Sequence, residues 1–179
     1  MRRGSLEYWP HRRARSLLPR VRTWPDLAEP AFSSFIAFKA GMTHVFITDE
    51  SESPSKGQEV MRSATAIVFP KVFIYGIRLH DKKYLYKEPA GVLFDSALAQ
   101  KVGIKSTKNT DLESAKKRLA ECVDVTALAF ADPSDLGIGI KKLIRFEMHV
   151  GGKSIEDKFA FIEKHLGKEV KSGDVMSLG

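Results

Sequence analysis

Seven arginines, two tryptophans and a tyrosine crowd the first 25 residues, MRRGSLEYWPHRRARSLLPRVRTWP. Arg2, Arg3, Arg12, Arg13, Arg15, Arg20 and Arg22 are opposed only by Glu7, so the segment carries a net charge of +6. A guanidinium presents a planar fork of donors that matches phosphate oxygens and can also lie flat on a base. A lysine-rich segment would supply point charges only. Tyr8, Trp9 and Trp24 add flat faces of the kind on which unpaired bases stack. Both tryptophans of the chain fall in this arm, outside any expected core, which favours contact over packing. The available chemistry is phosphate neutralisation combined with base stacking, and it points to RNA.

The rest of the chain lacks this character. Its 154 residues hold 22 basic and 21 acidic side chains, a net +1 out of the total +7. The charge is localised, so the electrostatic partner must be met by the arm. Pro10, Pro19 and Pro25 each remove a backbone donor and bias the preceding residue towards extended conformations. Residues 11–18 have room for about two helical turns at most. With few apolar groups to offset the entropy of ordering, the arm is expected to stay mobile until a partner holds it. Three other readings fit less well. A free solvated tail seldom carries two tryptophans. A removable organelle-import address is Arg-rich and acid-poor, but works as an amphipathic helix, which the prolines oppose. A membrane-surface anchor needs a helix with one basic and one apolar face.

No other constellation carries chemistry. Residues 142–154 read as a strand, then Gly151-Gly152-Lys153-Ser154, then a helix, which is the context of a phosphate-binding loop. The spacing fails, because the first glycine of that motif would fall on Glu147, inside the strand. Gly137 and Gly139 are a lone pair with no helix opening after them. His11, His44, His80, His149 and His165 show no metal-ligand spacing. Cys122 is the only cysteine, which excludes a disulfide or multi-thiolate zinc site within the chain and makes a reducing compartment the default. No nucleophile–base set is recognisable. The expectation is of no enzymatic activity, cofactor, metal or small-molecule substrate.

The elements behind the arm follow from periodicity and turn residues. Residues 32–38 and 43–48 read as strands, joined hairpin-fashion through Lys39-Ala40-Gly41-Met42. The polar stretch 49–58 reads as an exposed loop. Three more strands are predicted at 61–69, 72–80 and 83–87, broken by Pro70 and turned at Asp81-Lys82. Such short strands with close turns suggest an antiparallel sheet or part of a barrel. A capping-box pattern from Thr110 to Glu113 opens a helix with Leu112, Ala115, Leu119 and Cys122 on one face. That placement makes Cys122 a small buried hydrophobe. A weaker helix covers 96–101. Strands are predicted at 123–131 and 142–150, with a loop at 132–139 between them. The clearest helix is 154–166: Ser154 caps it, Asp157 completes the box, Ile155, Phe159, Ile162 and Leu166 form a stripe, and Gly167 ends it.

A chain of 179 residues fits one domain, or one domain with an appendage. Its 43% hydrophobic and 28% charged content is that of a globular protein. Neither a run of apolar residues long enough to span a bilayer nor a signal-peptide core is present, so no membrane partner is expected.

Two segments, Arg2-Arg-Gly-Ser-Leu-Glu-Tyr-Trp-Pro-His-Arg-Arg-Ala14 and Pro19-Arg-Val-Arg-Thr-Trp-Pro25, resemble the N-terminus of the large-subunit ribosomal protein L-three family, in its archaeal and eukaryotic form. Phe38-Lys-Ala-Gly-Met-Thr-His44 is similar to the family's next signature. Lys141-Lys-Leu-Ile-Arg-Phe-Glu-Met-His-Val-Gly-Gly152 resembles its later strand and double glycine. The three matches run in the family's order across most of the chain. The resemblance implies a mainly β fold with an α/β insertion: a partial β-barrel of the translation-protein type plus an extended basic arm. Residues 1–29 would be the arm, 30–90 the first part of the barrel, 91–170 the inserted extension, and 171–179 the start of a return to the barrel. It further implies a structural constituent of the cytoplasmic large ribosomal subunit, binding large-subunit ribosomal RNA during assembly beside neighbouring ribosomal proteins. The seven arginines would contact RNA, with Lys39 and His44 as weaker candidates. An RNA-acting enzyme using the arm for substrate capture, or an organelle-imported protein, are the alternatives.

The family's N-terminus runs a few residues further before its Arg-Arg-Gly-Ser stretch, and its members continue past the point matching Gly179. The chain is therefore expected to be a fragment, a split-gene product or a truncated form. Barrel strands left with unpaired edges would be an aggregation liability.

Overall fold

The run CVDVTALAFAD buries both of its faces, as the central strand of a covered sheet must. Val125, Ala127, Ala129 and Ala131 enter one apolar cluster, Leu128 and Phe130 another. The computed structural model describes residues 17–19, 21, 23–25, 27–81, 91–94, 96–103 and 112–175. In it this run is β6 (Cys122–Asp132). It lies between β4 (Lys71–Asp81) and β7 (Ile144–Gly151). The far edge of β7 holds β1 (Ala31–Phe32). The far edge of β4 takes β5 (Gly91–Phe94) along Gly76–Leu79 and β8 (Glu169–Val170) at Val72 and Phe73. Every pairing is antiparallel. The protein is mainly β, with few helices and a larger sheet curled as a half-barrel. That sheet joins strands from both sides of residue 90.

Side-chain alternation in β4 is reset once. Ile74 pairs with Ala129 and Gly76 with Leu128, so Tyr75 is an extra residue. The bulge keeps Val72 and Ile74 on the same face as Ile77 and Leu79, and turns Tyr75 to the other side. Over the first face lies α3 (Ile155–His165). Phe159 and Ile162 are buried in its contact and Ile155 and Leu166 flank them, which is the predicted stripe. Burying each of the two central side chains contributes roughly 1.5–3 kcal/mol. Gly167, at φ 77°, ends the helix and donates its N–H to the Ile74 carbonyl at 2.9 Å, steering the chain into β8. On the second face α1 (Ser96–Lys101) sets Leu98 beside Tyr75, Leu128 and Phe130.

Several expectations are corrected. The hairpin predicted within 32–48 does not form: β2 (Phe38–Thr48) is one continuous strand, and Gly41 follows a bulge rather than a turn. The strand predicted over 32–38 shrinks to Ala31–Phe32, because pairing with the edge of β7 ends there, followed by one bond from Ser33. Cys122 is not on a helix. Helix α2 (Leu112–Arg118) gives way to a 3-10 turn at Leu119–Glu121, and Cys122 starts β6. Its thiol, buried as expected, donates to the Arg118 carbonyl at 3.1 Å. Ser154 has extended N-cap geometry, but its side chain makes no capping bond. Glu156 and Asp157 instead place acidic charge on the first turn of α3. The strand at 83–87 and the Thr110 cap lie outside the described residues.

β2 pairs with β3 (Glu59–Val68) in a separate two-stranded ribbon. The loop joining them is tied by Asp49, which accepts the hydroxyls of Ser51, Ser53 and Ser55. These bonds, that of Ser51 foremost, hold the Asp49 carboxyl well below the usual carboxylate range. Large apolar side chains stand exposed on the ribbon, including Met42, Phe46, Met61 and Ile67.

Candidate nucleic-acid interface

The arm meets the sheet at the end of β7. Ala31 and Phe32 pair with Gly151 and Val150, and the Ser33 N–H donates to the His149 carbonyl at 3.0 Å. Phe32 is buried and meets the ring of Phe161 edge-on, with centroids 4.9 Å apart. One step back, Pro30 lies against Gly152, whose φ of 135° suits glycine alone. Leu27 covers Gly151 so closely that a Cβ there would stand 2.5 Å from the Leu27 Cδ1 and 2.8 Å from its Cβ. The double glycine that resembles a phosphate loop is thus a seat for the root of the arm.

Trp24 completes the seat. Its ring stacks on His149, with centroids 4.9 Å apart and planes 2° from parallel. The His149 Nδ1 is 3.3 Å from the Ser33 hydroxyl, and Nε2 is 3.6 Å from the Asp124 carboxylate. Asp124 in turn accepts from the Lys158 ammonium at 3.0 Å. Burial pushes the His149 pKa down, Asp124 partly opposes this, and Lys158 adds to the depression. At neutral pH the imidazole is uncharged, so the ionic partner of Asp124 is Lys158.

The depression has a sign that can be tested. The unfolded chain protonates this histidine near its ordinary 6.5. The folded chain protonates it only at lower pH, so the unfolded state binds more protons in between. The contribution of His149 to stability is therefore complete above about pH 6.5 and lost as pH falls through the folded value. Thermal midpoints at pH 7.5, 6.5 and 5.5 should show wild type losing ground to His149→Gln as the pH drops. Parallel curves would refute the depressed pKa.

Among the arm's candidate contacts, Arg2, Arg3, Tyr8, Trp9, Arg12, Arg13, Arg15, Arg20 and Arg22 lie outside the described residues. Trp24 is half-buried on the larger sheet. Lys39 and His44 are exposed on the ribbon, where register sets them opposite Ile67 and Ser63 and so on one face. The structure therefore does not bring these two beside Trp24. Nor does the arm stay clear of the body throughout: Leu18 packs against the main apolar cluster, and Trp24 and, just beyond it, Leu27 are seated. Sequence reasoning missed His149, Gly151 and Leu27. The double glycine was the available signal, since two adjacent glycines at a strand end mark a close approach of other atoms.

Among the described residues, no helix is long and apolar enough to cross a membrane. Residues 1–89 match the family model described as Ribosomal protein L3. The chain is similar to the large ribosomal subunit protein uL3 of Pyrobaculum arsenaticum, with 36% identity over 190 residues, covering 99% of this chain and 56% of that protein. Likeness to the uL3 of Methanococcus maripaludis is 33% over 185 residues, covering 99% and 55%. The chain thus spans about half the length of the curated relatives it matches. Both the arm and the body take part in these alignments, and with the family match to residues 1–89 they place the chain in the ribosomal protein L3 family.

Proposed function

We propose that this chain is a structural constituent of the large ribosomal subunit, which binds and organises large-subunit ribosomal RNA and has no enzymatic activity. The observation that carries the reading is likeness along 99% of the chain to proteins named large ribosomal subunit protein uL3. The physical support is independent of the names. A net +6 concentrated in 25 residues, all of it from guanidinium groups, suits a phosphate backbone. Tyr8 and Trp9 supply stacking faces, while Lys39 and His44 offer a second, weaker contact from the ribbon. The rest of the chain acts as the base from which the arm enters RNA, beside neighbouring ribosomal proteins in the cytoplasmic large subunit. The arm reaches up to about 3.3–3.6 Å per residue when extended, far enough to thread between helices.

Gradient sedimentation of a tagged chain tests this. Co-migration with the large subunit, retained after a moderate salt wash, is the expected result. A chain found only at the top of the gradient would contradict it.

A further inference from the structure

We infer that Trp24 and His149 are positioning residues, forming a mount that fixes the direction in which the arm leaves the body, and that Trp24 acts through His149 rather than on an RNA base. The inference rests on the proposed RNA-binding role of the arm. Trp24 belongs to the arm by sequence, and its composition alone suggests a stacking platform for bases. The geometry gives it another task. A ring 4.9 Å from His149 and within 2° of parallel has one face already covered. His149 does not move freely beneath it, because Ser33 and Asp124 flank its two nitrogens and Lys158 fixes Asp124.

The chain on either side of the stack is fixed as well. Leu27 fills the space above Gly151, Pro30 rests on Gly152, and Phe32 is pinned in the core. Arg22 is two residues from Trp24, within about 7 Å of it along the chain. A fixed Trp24 therefore limits where Arg22 and Arg20 can go before any RNA arrives. Restricting these two guanidinium groups in advance lowers the ordering cost of binding, which is the general basis of preorganisation. Leu18 also packs on the main cluster, so Arg20 and Arg22 lie in sequence between two held residues, of which the stack fixes one.

A double-mutant cycle on the full chain separates a mount from a base-stacking platform. Affinity for deproteinised large-subunit ribosomal RNA is measured for Trp24→Ala, His149→Ala and the pair, across a salt series. Thermal unfolding of each variant checks that the body remains folded. A mount predicts equal losses of about three- to tenfold for either single change, and no further loss in the pair. It also predicts an unchanged salt slope, since no phosphate contact is removed. Trp24→Phe and His149→Phe, which keep two flat rings in contact, should restore most of the affinity. A larger loss for Trp24→Ala that adds to that of His149→Ala would overturn the inference and assign Trp24 to RNA. No loss in either single variant would also overturn it. An arm-deleted chain that binds as well as wild type would instead overturn the proposed function, which distinguishes the two failures.

Discussion

Replacing Gly151 by valine is expected to force Leu27 off the end of β7, with a cost of about 1–3 kcal/mol from overpacking. The first added atom is already too close, since a Cβ at this position would lie 2.5–2.8 Å from three carbons of Leu27. One of those carbons is the Leu27 Cβ, so rotating the side chain cannot relieve the contact. The backbone of the arm's root must move, and the Ala31–Gly151 pairing with it. For a chain of this size each kcal/mol shifts the thermal midpoint by about 2–4 °C. Gly151→Ala should show the same effect in milder form. Combining it with Leu27→Ala should restore part of the loss, because the smaller side chain makes room. A midpoint unmoved by valine would mean that Leu27 does not occupy this place.

Local signals announced much of the fold. Helix α3 was legible because Ile155, Phe159, Ile162 and Leu166 repeat with the helical period and Gly167 supplies the left-handed stop. Strands β4, β6 and β7 were legible as apolar runs bounded by turn residues. Where sequence reasoning failed, the deciding interaction was distant. Gly41 marks either a turn or a bulge on local grounds alone. Ten residues of pairing with β3 decide for the bulge and run β2 straight through. Glu169 and Val170 have no periodicity to read, and become a strand only because the edge of β4 is open at Val72 and Phe73. Cys122 continued the helical stripe from Leu112, but the chain had already switched to the two-residue period of β6.

The site followed the same division. Composition located the arm and its chemistry, because seven guanidinium groups in 25 residues need no partner in the chain to be recognised. The mount was not legible, since Trp24 and His149 are 125 positions apart and nothing in either neighbourhood names the other. The expectation that both tryptophans lie outside the packed structure therefore fails at Trp24. Trp9 lies outside the described residues, and Trp24 packs on the sheet.

The second large effect concerns the arginines. Each phosphate neutralised by a side chain releases counterions, so the logarithm of the binding constant falls linearly with the logarithm of salt concentration. Seven contacts to single-stranded RNA would give a slope of about −5, and the body, at net +1, can replace little of it. A chain lacking residues 1–22 loses the Leu18 contact with the main cluster but keeps Trp24, Leu27 and the whole sheet, so it should still fold while most of its RNA affinity is lost. The decisive measurement is the salt dependence of binding to large-subunit ribosomal RNA, wild type against this deletion. The expected result is a steep slope for wild type that flattens by up to about five units in the deletion, together with a large fall in affinity at low salt. Equal slopes and equal affinities would show that the arm does not carry the RNA contact.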